Sequence, residues 1–322
     1  MILLYPILKI YARISLYFFC RVVRVNRPAM LNIEGPVLLA CNHPNSFLDA
    51  IILDVLFRQP LWSLARGDAF RSPGIVRFLT SLKILPVYRT SEGVQNLNEN
   101  YNTFNSCIDL FRNNGQVIIF SEGRCTNEWH LRPLKKGTAR LAMQAWQEGI
   151  PLRVLPVALN YNSFRSFGKN VFINFGEIIT VDQFDLSLPD GIRNQAFNRE
   201  LKNELEKGVF EIQAGDYETR RKLLVVPQPI LKKLLLGIPA LAGIIFHLPF
   251  YWPLKQIAKR LNNSDHYDSI LTGLVVLSYP LYLVLVFVLA IIYTSWPVAL
   301  LVWPVLPFTG WSAMQLKPQL DK

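Results

Sequence analysis

His43 and Asp49 are the two residues of this chain whose types and placement best suit acid–base chemistry. The run Val37–Cys41 is short, apolar and preceded by Gly35-Pro36, so it reads as a buried strand. His43 follows the end of that strand. Asn45 or Ser46 can cap a helix that continues through residues 47–53 and carries Asp49 near its start. An imidazole that is to take a proton needs a carboxylate to fix its tautomer and to stabilise the cation it becomes. The pair is therefore a candidate general base. Taken alone, such a pair caps or packs more often than it reacts.

Three further segments strengthen the functional reading. Residues 83–90 form a strand-like run that ends in Arg89, residues 117–124 an apolar strand that breaks into Ser121-Glu122-Gly123-Arg124, and residues 153–159 another buried strand around Pro156. The first two deliver charged groups at strand carboxyl ends, where open α/β sheets place their sites.

With these blocks in this order, residues 30–180 resemble the glycerolipid acyltransferase family, which includes glycerol-3-phosphate and lysophosphatidate acyltransferases. The blocks are Asn42-His43 with Asp49, Arg89 after its strand, Phe120-Ser121-Glu122-Gly123, and the strand containing Pro156. Two features depart from the family pattern. Residues 44–48 place one residue more than usual between His and Asp, as in the branch related to fungal-type glycerol-3-phosphate and dihydroxyacetone-phosphate acyltransferases. Ser121 replaces the usual proline, and Arg124 follows Glu-Gly directly.

The resemblance implies that His43 deprotonates a glycerol hydroxyl as it attacks the thioester of acyl-CoA or acyl carrier protein, with Asp49 orienting the imidazole. It implies a substrate-binding set of Asn42, Arg89, Glu122, Gly123, Arg124 and Lys136. Arg89 and Arg124 would hold the acceptor's phosphate, with Lys135 or Lys136 as alternatives to Arg124, since guanidinium and ammonium groups both serve oxyanions. Glu122 would bind glycerol hydroxyls or hold Arg89. The acceptor would be glycerol-3-phosphate or lysophosphatidate. The alternatives are another lysophospholipid, a small alcohol, or a non-catalytic protein that only binds lipid. No covalent acyl-enzyme, cofactor or metal is implied.

Composition agrees with a membrane setting. Lys and Arg total 34 against 23 Asp and Glu, a formal charge of +11, in a chain that is 51% hydrophobic. Such a surplus suits anionic lipid or phosphate-bearing substrates. Nucleic acid is not expected, because no aromatic-interleaved basic patch or known module is present. Cys20, Cys41, Cys107 and Cys125 show no CxxC or disulfide framework, and the four histidines show no metal-ligand spacing.

Residues 1–23 are apolar and aromatic but carry Lys9, Arg13 and Arg21, each costly at mid-bilayer, so a helix lying in the interface is expected over residues 1–30 rather than a span or a cleaved signal. The catalytic domain is expected over 31–225 and a membrane region over 226–322. In the latter, residues 234–254 lack formal charge but are flanked by basic residues and contain Pro239, Pro249 and Pro253, which suggests a re-entrant segment. Residues 269–315 contain no Asp, Glu, Lys or Arg, long enough for two transmembrane helices with a break near residues 294–297. Such a hairpin returns Lys317 and Lys322 to the side of Lys255, Lys259 and Arg260, placing the catalytic domain on the cytoplasmic side.

Between the motifs, strands (37–41, 61–64, 83–87, 117–120, 152–159, 171–175) alternate with helices (47–57, 94–112, 136–147, 191–212). The expected fold is α/β: a mixed, largely parallel sheet flanked by helices, with an N-terminal interfacial helix and a C-terminal transmembrane hairpin.

Overall fold

The structure, a computed structural model, describes residues 4–88, 97–261 and 265–321. Its centre is a seven-stranded sheet of β1 (Cys20–Val25), β2 (Val37–Cys41), β3 (Leu61–Arg66), β4 (Ile84–Val87), β5 (Gln116–Phe120), β6 (Arg153–Tyr161) and β7 (Lys169–Phe175). The strand order is β1-β7-β6-β2-β5-β3-β4. Strands β6, β2, β5, β3 and β4 are parallel, while β7 runs against β6 and carries β1 parallel to itself. This is the mixed, largely parallel sheet the sequence pattern implies.

β2 is apolar at every position because both its faces are covered. Val37, Leu39 and Cys41 join one core with Leu48, Ile52 and Leu53 of α2 (Phe47–Leu56). Leu38 and Ala40 join the other, with residues of α4 (Leu97–Arg112), α5 (Lys136–Gln147) and α6 (Asp190–Glu206). The helices that leave β2 and β5 thus go to opposite faces. A crevice opens where the connections diverge, at the carboxyl ends of the parallel strands. Two short helices complete the domain: α3 (Pro73–Ser81), whose Ile75 N–H is accepted by the Ser72 hydroxyl, and α7 (Tyr217–Leu224).

The amino-terminal helix is shorter than expected. α1 (Leu4–Phe19) stops where Cys20–Val25 pairs with β7, so residues 20–25 belong to the central sheet and not to an interfacial helix reaching residue 30. Val22, Val23 and Val25 are β-branched and suit a pleated edge better than a helix. The cations of α1 also point inward. Lys9 meets Asp54 at 3.3 Å, and Arg13 donates to the Val55 carbonyl at 2.7 Å. Arg21, on β1, donates to the carbonyls of Met314, Gln315 and Lys317, the orphan acceptors at a helix end. The outer face of α1 is left apolar, with Ile7, Ile10 and Ile14 exposed.

Residues 230–261 form one helix, α8 (Ile230–Leu261), that contains Pro239, Pro249 and Pro253. Both of its ends approach the sheet domain. Lys232 reaches Gln315 beside Arg21, and Ala258 is fully buried in the core of β2. Its middle packs closely on α11 (Val302–Leu316): a Cβ at Gly243 would lie 2.0 Å from the Thr309 carbonyl oxygen. α9 (Tyr267–Tyr293) leaves the sheet domain, and α10 (Trp296–Leu300) with α11 returns to it. The chain reverses at residues 294–295, which makes the hairpin expected. Its returning limb is two short helices rather than one span-length helix, with Pro297 starting the first and Pro304 and Pro307 in the second. Among the described residues, α8 and α9 are the helices long and apolar enough to cross a membrane, and little of either apolar window is buried.

Candidate active site

His43 follows β2 and stands at the crevice. Its Nδ1 lies 2.9 Å from Oδ2 of Asp49, on the first turn of α2. Because a hydrogen is needed opposite the carboxylate, Nδ1 carries it, and in the neutral ring Nε2 is then the nitrogen with the lone pair. The imidazole stacks on Phe120 at 3.8 Å between centroids, which fixes the ring plane.

Asp49 is fully buried and engaged by three donors. Besides His43, its Oδ2 accepts the Asn45 N–H at 2.8 Å, and its Oδ1 accepts the Tyr161 hydroxyl at 2.7 Å. Burial and the neighbouring carboxylate push the Tyr161 phenol far up, so it stays a donor. The loop between His43 and α2 absorbs the longer His–Asp spacing. Ser46 there adopts φ 53° and ψ −142°, a conformation that costs a non-glycine residue on the order of 1–3 kcal/mol. Its N–H is accepted by the Cys125 sulfur at 3.0 Å, and its hydroxyl pairs with His266 Nδ1 at 2.7 Å.

Ser46 occupies the N-cap position anticipated for it, but its side chain caps nothing. The Leu48 N–H goes instead to the Ser269 hydroxyl of α9 at 3.3 Å. That hydroxyl also donates to the Asn45 carbonyl at 3.0 Å.

Glu122 is buried just after β5. Its Oε2 accepts the His43 N–H at 2.8 Å and its Oε1 the Arg132 N–H at 2.9 Å. Burial raises its carboxyl above the usual range, and the two N–H bonds offset part of that. Both oxygens therefore hold main chain, which differs from the expected contact with glycerol hydroxyls or Arg89. Asn42 differs similarly. It is buried, and its amide bridges to β6, donating to the Leu159 carbonyl at 3.0 Å and accepting the Leu159 N–H at 2.7 Å. Arg89 lies outside the described residues.

Gly123 adopts φ +66°, which turns the chain sharply after Glu122 and brings Lys135 alongside. The Lys135 N–H donates to the Ser121 carbonyl at 2.7 Å, and Thr138 donates to the Ser121 hydroxyl at 3.0 Å. Arg124, Lys135, Lys136 and Arg140 consequently gather near the amino terminus of α5 and line the same cleft as His43. That terminus adds partial positive charge. Arg124 and the two lysines, alternatives in the sequence, thus stand together.

The cleft has a volume of about 2450 Å³. Leu8 and Ala12 of α1, with Phe47, Ile51 and Val55 of α2, give it an apolar wall. The nearby thiols are unsuited to attack, since burial pushes those of Cys41 and Cys125 well above their ordinary range.

A model of the acyltransferase family matches residues 22–160, the segment that carries His43, Asp49 and Glu122. The chain is 29% identical over 163 residues to a glycerol-3-phosphate O-acyltransferase of Saccharomyces cerevisiae, covering 47% of this chain and 21% of that protein. It is 24% identical over 173 residues to a chloroplastic 1-acyl-sn-glycerol-3-phosphate acyltransferase of Brassica napus, covering 53% of this chain and 47% of that one. It therefore spans about a fifth and about half of these relatives. A crystal structure of a 1-acyl-sn-glycerophosphate acyltransferase from Thermotoga maritima aligns with a TM-score of 0.43 and 18% identity, over 62% of this chain and 78% of that one.

Tyr161, Ser269 and His266 were not legible as site residues. Tyr161 closes a long apolar strand and reads as core, and the other two lie beyond the matched segment.

Proposed function

We propose that this acyltransferase moves a fatty acyl group from an acyl thioester, either acyl-CoA or acyl carrier protein, to a hydroxyl of a phosphate-bearing glycerol acceptor, glycerol-3-phosphate or lysophosphatidate. The observation that carries the reading is a buried carboxylate holding His43 Nδ1 at 2.9 Å in a cleft that also collects Arg124, Lys135, Lys136 and Arg140.

In this reading His43 Nε2 takes the proton of the acceptor hydroxyl as its oxygen attacks the thioester carbonyl. The tetrahedral intermediate then collapses, the C–S bond breaks, and the imidazolium returns the proton to the departing thiolate. A new C–O ester bond replaces the C–S bond, and no acyl-enzyme forms. Asp49 stabilises the imidazolium, and Glu122 fixes the main chain beneath it. Arg124, Lys135 and Lys136 bind the acceptor phosphate with the amino terminus of α5, while the wall of α1 and α2 takes the acyl chain.

The membrane supplies at least one lipid participant. α9 spans the bilayer, and α8, a single helix whose two ends both approach the catalytic domain, lies along the membrane interface. The apolar outer face of α1 lies in the interface, with the catalytic domain on the cytoplasmic side.

The test offers the detergent-purified protein acyl-CoA with glycerol-3-phosphate, lysophosphatidate or glycerol, and identifies the product by mass spectrometry. Ester formed on a phosphate-bearing acceptor is expected. Transfer to unphosphorylated glycerol at an equal rate would contradict the phosphate assignment.

A further inference from the structure

Lys169 and Asp268 form an ion pair at 2.7 Å in which neither side chain has any solvent exposure. Two buried charges are costly unless paired and hydrogen-bonded. Lys169, at the start of β7, also donates to the Ser163 carbonyl at 2.5 Å. Asp268, on the first turn of α9, accepts from the side-chain amide of Asn45 at 2.8 Å. Asn45 is fully buried and gives its backbone N–H to Asp49 Oδ2. An unbroken chain of contacts thus runs from Lys169 through Asp268, Asn45 and Asp49 to His43.

The same segment of α9 holds the loop elsewhere. Ser269 bonds the Asn45 carbonyl and the Leu48 N–H, and His266 bonds Ser46. Asp265 accepts the Asn127 N–H at 3.1 Å, and the Asn127 amide donates to the Pro44 carbonyl at 2.7 Å. All four α9-side residues, 265, 266, 268 and 269, lie outside the family-matched segment 22–160.

We infer that Asp268, held by Lys169, is a positioning residue for the acyl transfer: through Asn45 it sets the angle at which Asp49 meets His43. This inference rests on the proposed function and extends it, because it makes the first turn of a membrane helix part of the catalytic site. An anchor needs only apolar contact, whereas this turn commits to one loop the Asp268 carboxylate, held by Lys169 of β7, and the Ser269 hydroxyl.

The test compares wild type with Asn45→Ala, which cuts the link while leaving the ion pair whole. A second variant, Lys169→Met with Asp268→Leu, removes both charges together so that neither is stranded. Both are purified as full chains in detergent and assayed for transfer to glycerol-3-phosphate and lysophosphatidate. In each variant kcat is expected to fall about ten- to a hundred-fold, with both KM values within about two-fold, as suits misplacement of a reacting group. Placed on Asp49→Ala, either change should cost nothing further, because the carboxylate it positions is gone. Wild-type kcat in both variants, or losses that multiply on Asp49→Ala, would overturn the inference. If wild type shows no His43-dependent transfer, the functional reading fails by itself. Amide hydrogen exchange at residues 42–48 then decides the link: faster exchange in both variants with β2 unchanged supports it, and unchanged exchange overturns it.

Discussion

Asp49→Asn separates two roles that the carboxylate combines. Asparagine keeps the shape but offers one acceptor and one donor in place of two acceptors. The Asn45 N–H at 2.8 Å can face only an acceptor, so the amide oxygen must take the Oδ2 position and the NH₂ must turn to Tyr161. The Tyr161 hydroxyl can rotate to accept. His43 Nδ1 then still meets an oxygen, and its tautomer is preserved. What disappears is the negative charge beside the imidazolium. Replacing a charged acceptor by a neutral one costs about 1–1.5 kcal/mol, and the lost attraction between the buried carboxylate and the partly exposed imidazole raises the total to about 2–3 kcal/mol. At 1.36 kcal/mol per decade, kcat should fall about 30- to 150-fold. The assay is initial-rate acyl transfer by wild type, Asp49→Asn and His43→Ala, normalised to folded protein. Full activity in Asp49→Asn would refute the pairing. A loss of about 10³-fold or more would refute the orientation argument, since it would mean that the amide had turned and inverted the tautomer.

Tyr161→Phe leaves one buried carboxylate oxygen without a donor, which should cost about 1–3 kcal/mol in a denaturant titration and lower kcat less than Asp49→Asn does. Glu122→Gln sets an NH₂ against the N–H of either His43 or Arg132, so kcat should fall at least about ten-fold with KM little changed. That variant also carries a pH signature. The folded carboxyl of Glu122 is raised by burial, so its contribution to stability is present below its unfolded value and is lost as pH rises through the folded one. Melts between pH 4 and 7 should therefore show wild type losing ground to Glu122→Gln as pH increases, and a constant difference would contradict the burial argument. Cys125→Ser keeps an acceptor for the Ser46 N–H and should retain activity within about three-fold, and no acyl adduct should appear on wild-type Cys125 by intact mass.

What the sequence disclosed was local. His43, Asp49 and Glu122 sit at strand ends and a helix start, where apolar runs break within a few residues, and the alternation around them implied the sheet. What it hid was carried by distant pairing. Residues 20–25 continue the apolar character of α1, and only β7 beside them makes them a strand. Lys9, Arg13 and Arg21 read as charges seeking the membrane interface, yet each is matched by an acceptor folded onto it from another element. Ser46 had the right type for a cap, but the hydroxyl that serves α2 comes from Ser269, more than two hundred residues later. Nothing in Asn42 or Glu122 revealed that main-chain partners would occupy their polar atoms.

The central claim is that His43 performs base catalysis in acyl transfer. Its most direct test is the rate of ester formation from acyl-CoA and glycerol-3-phosphate or lysophosphatidate by purified wild type beside His43→Ala of equal thermal stability. Loss of general-base catalysis predicts a fall of about 10²–10⁴ in kcat. Undiminished transfer by a folded His43→Ala protein would contradict the account.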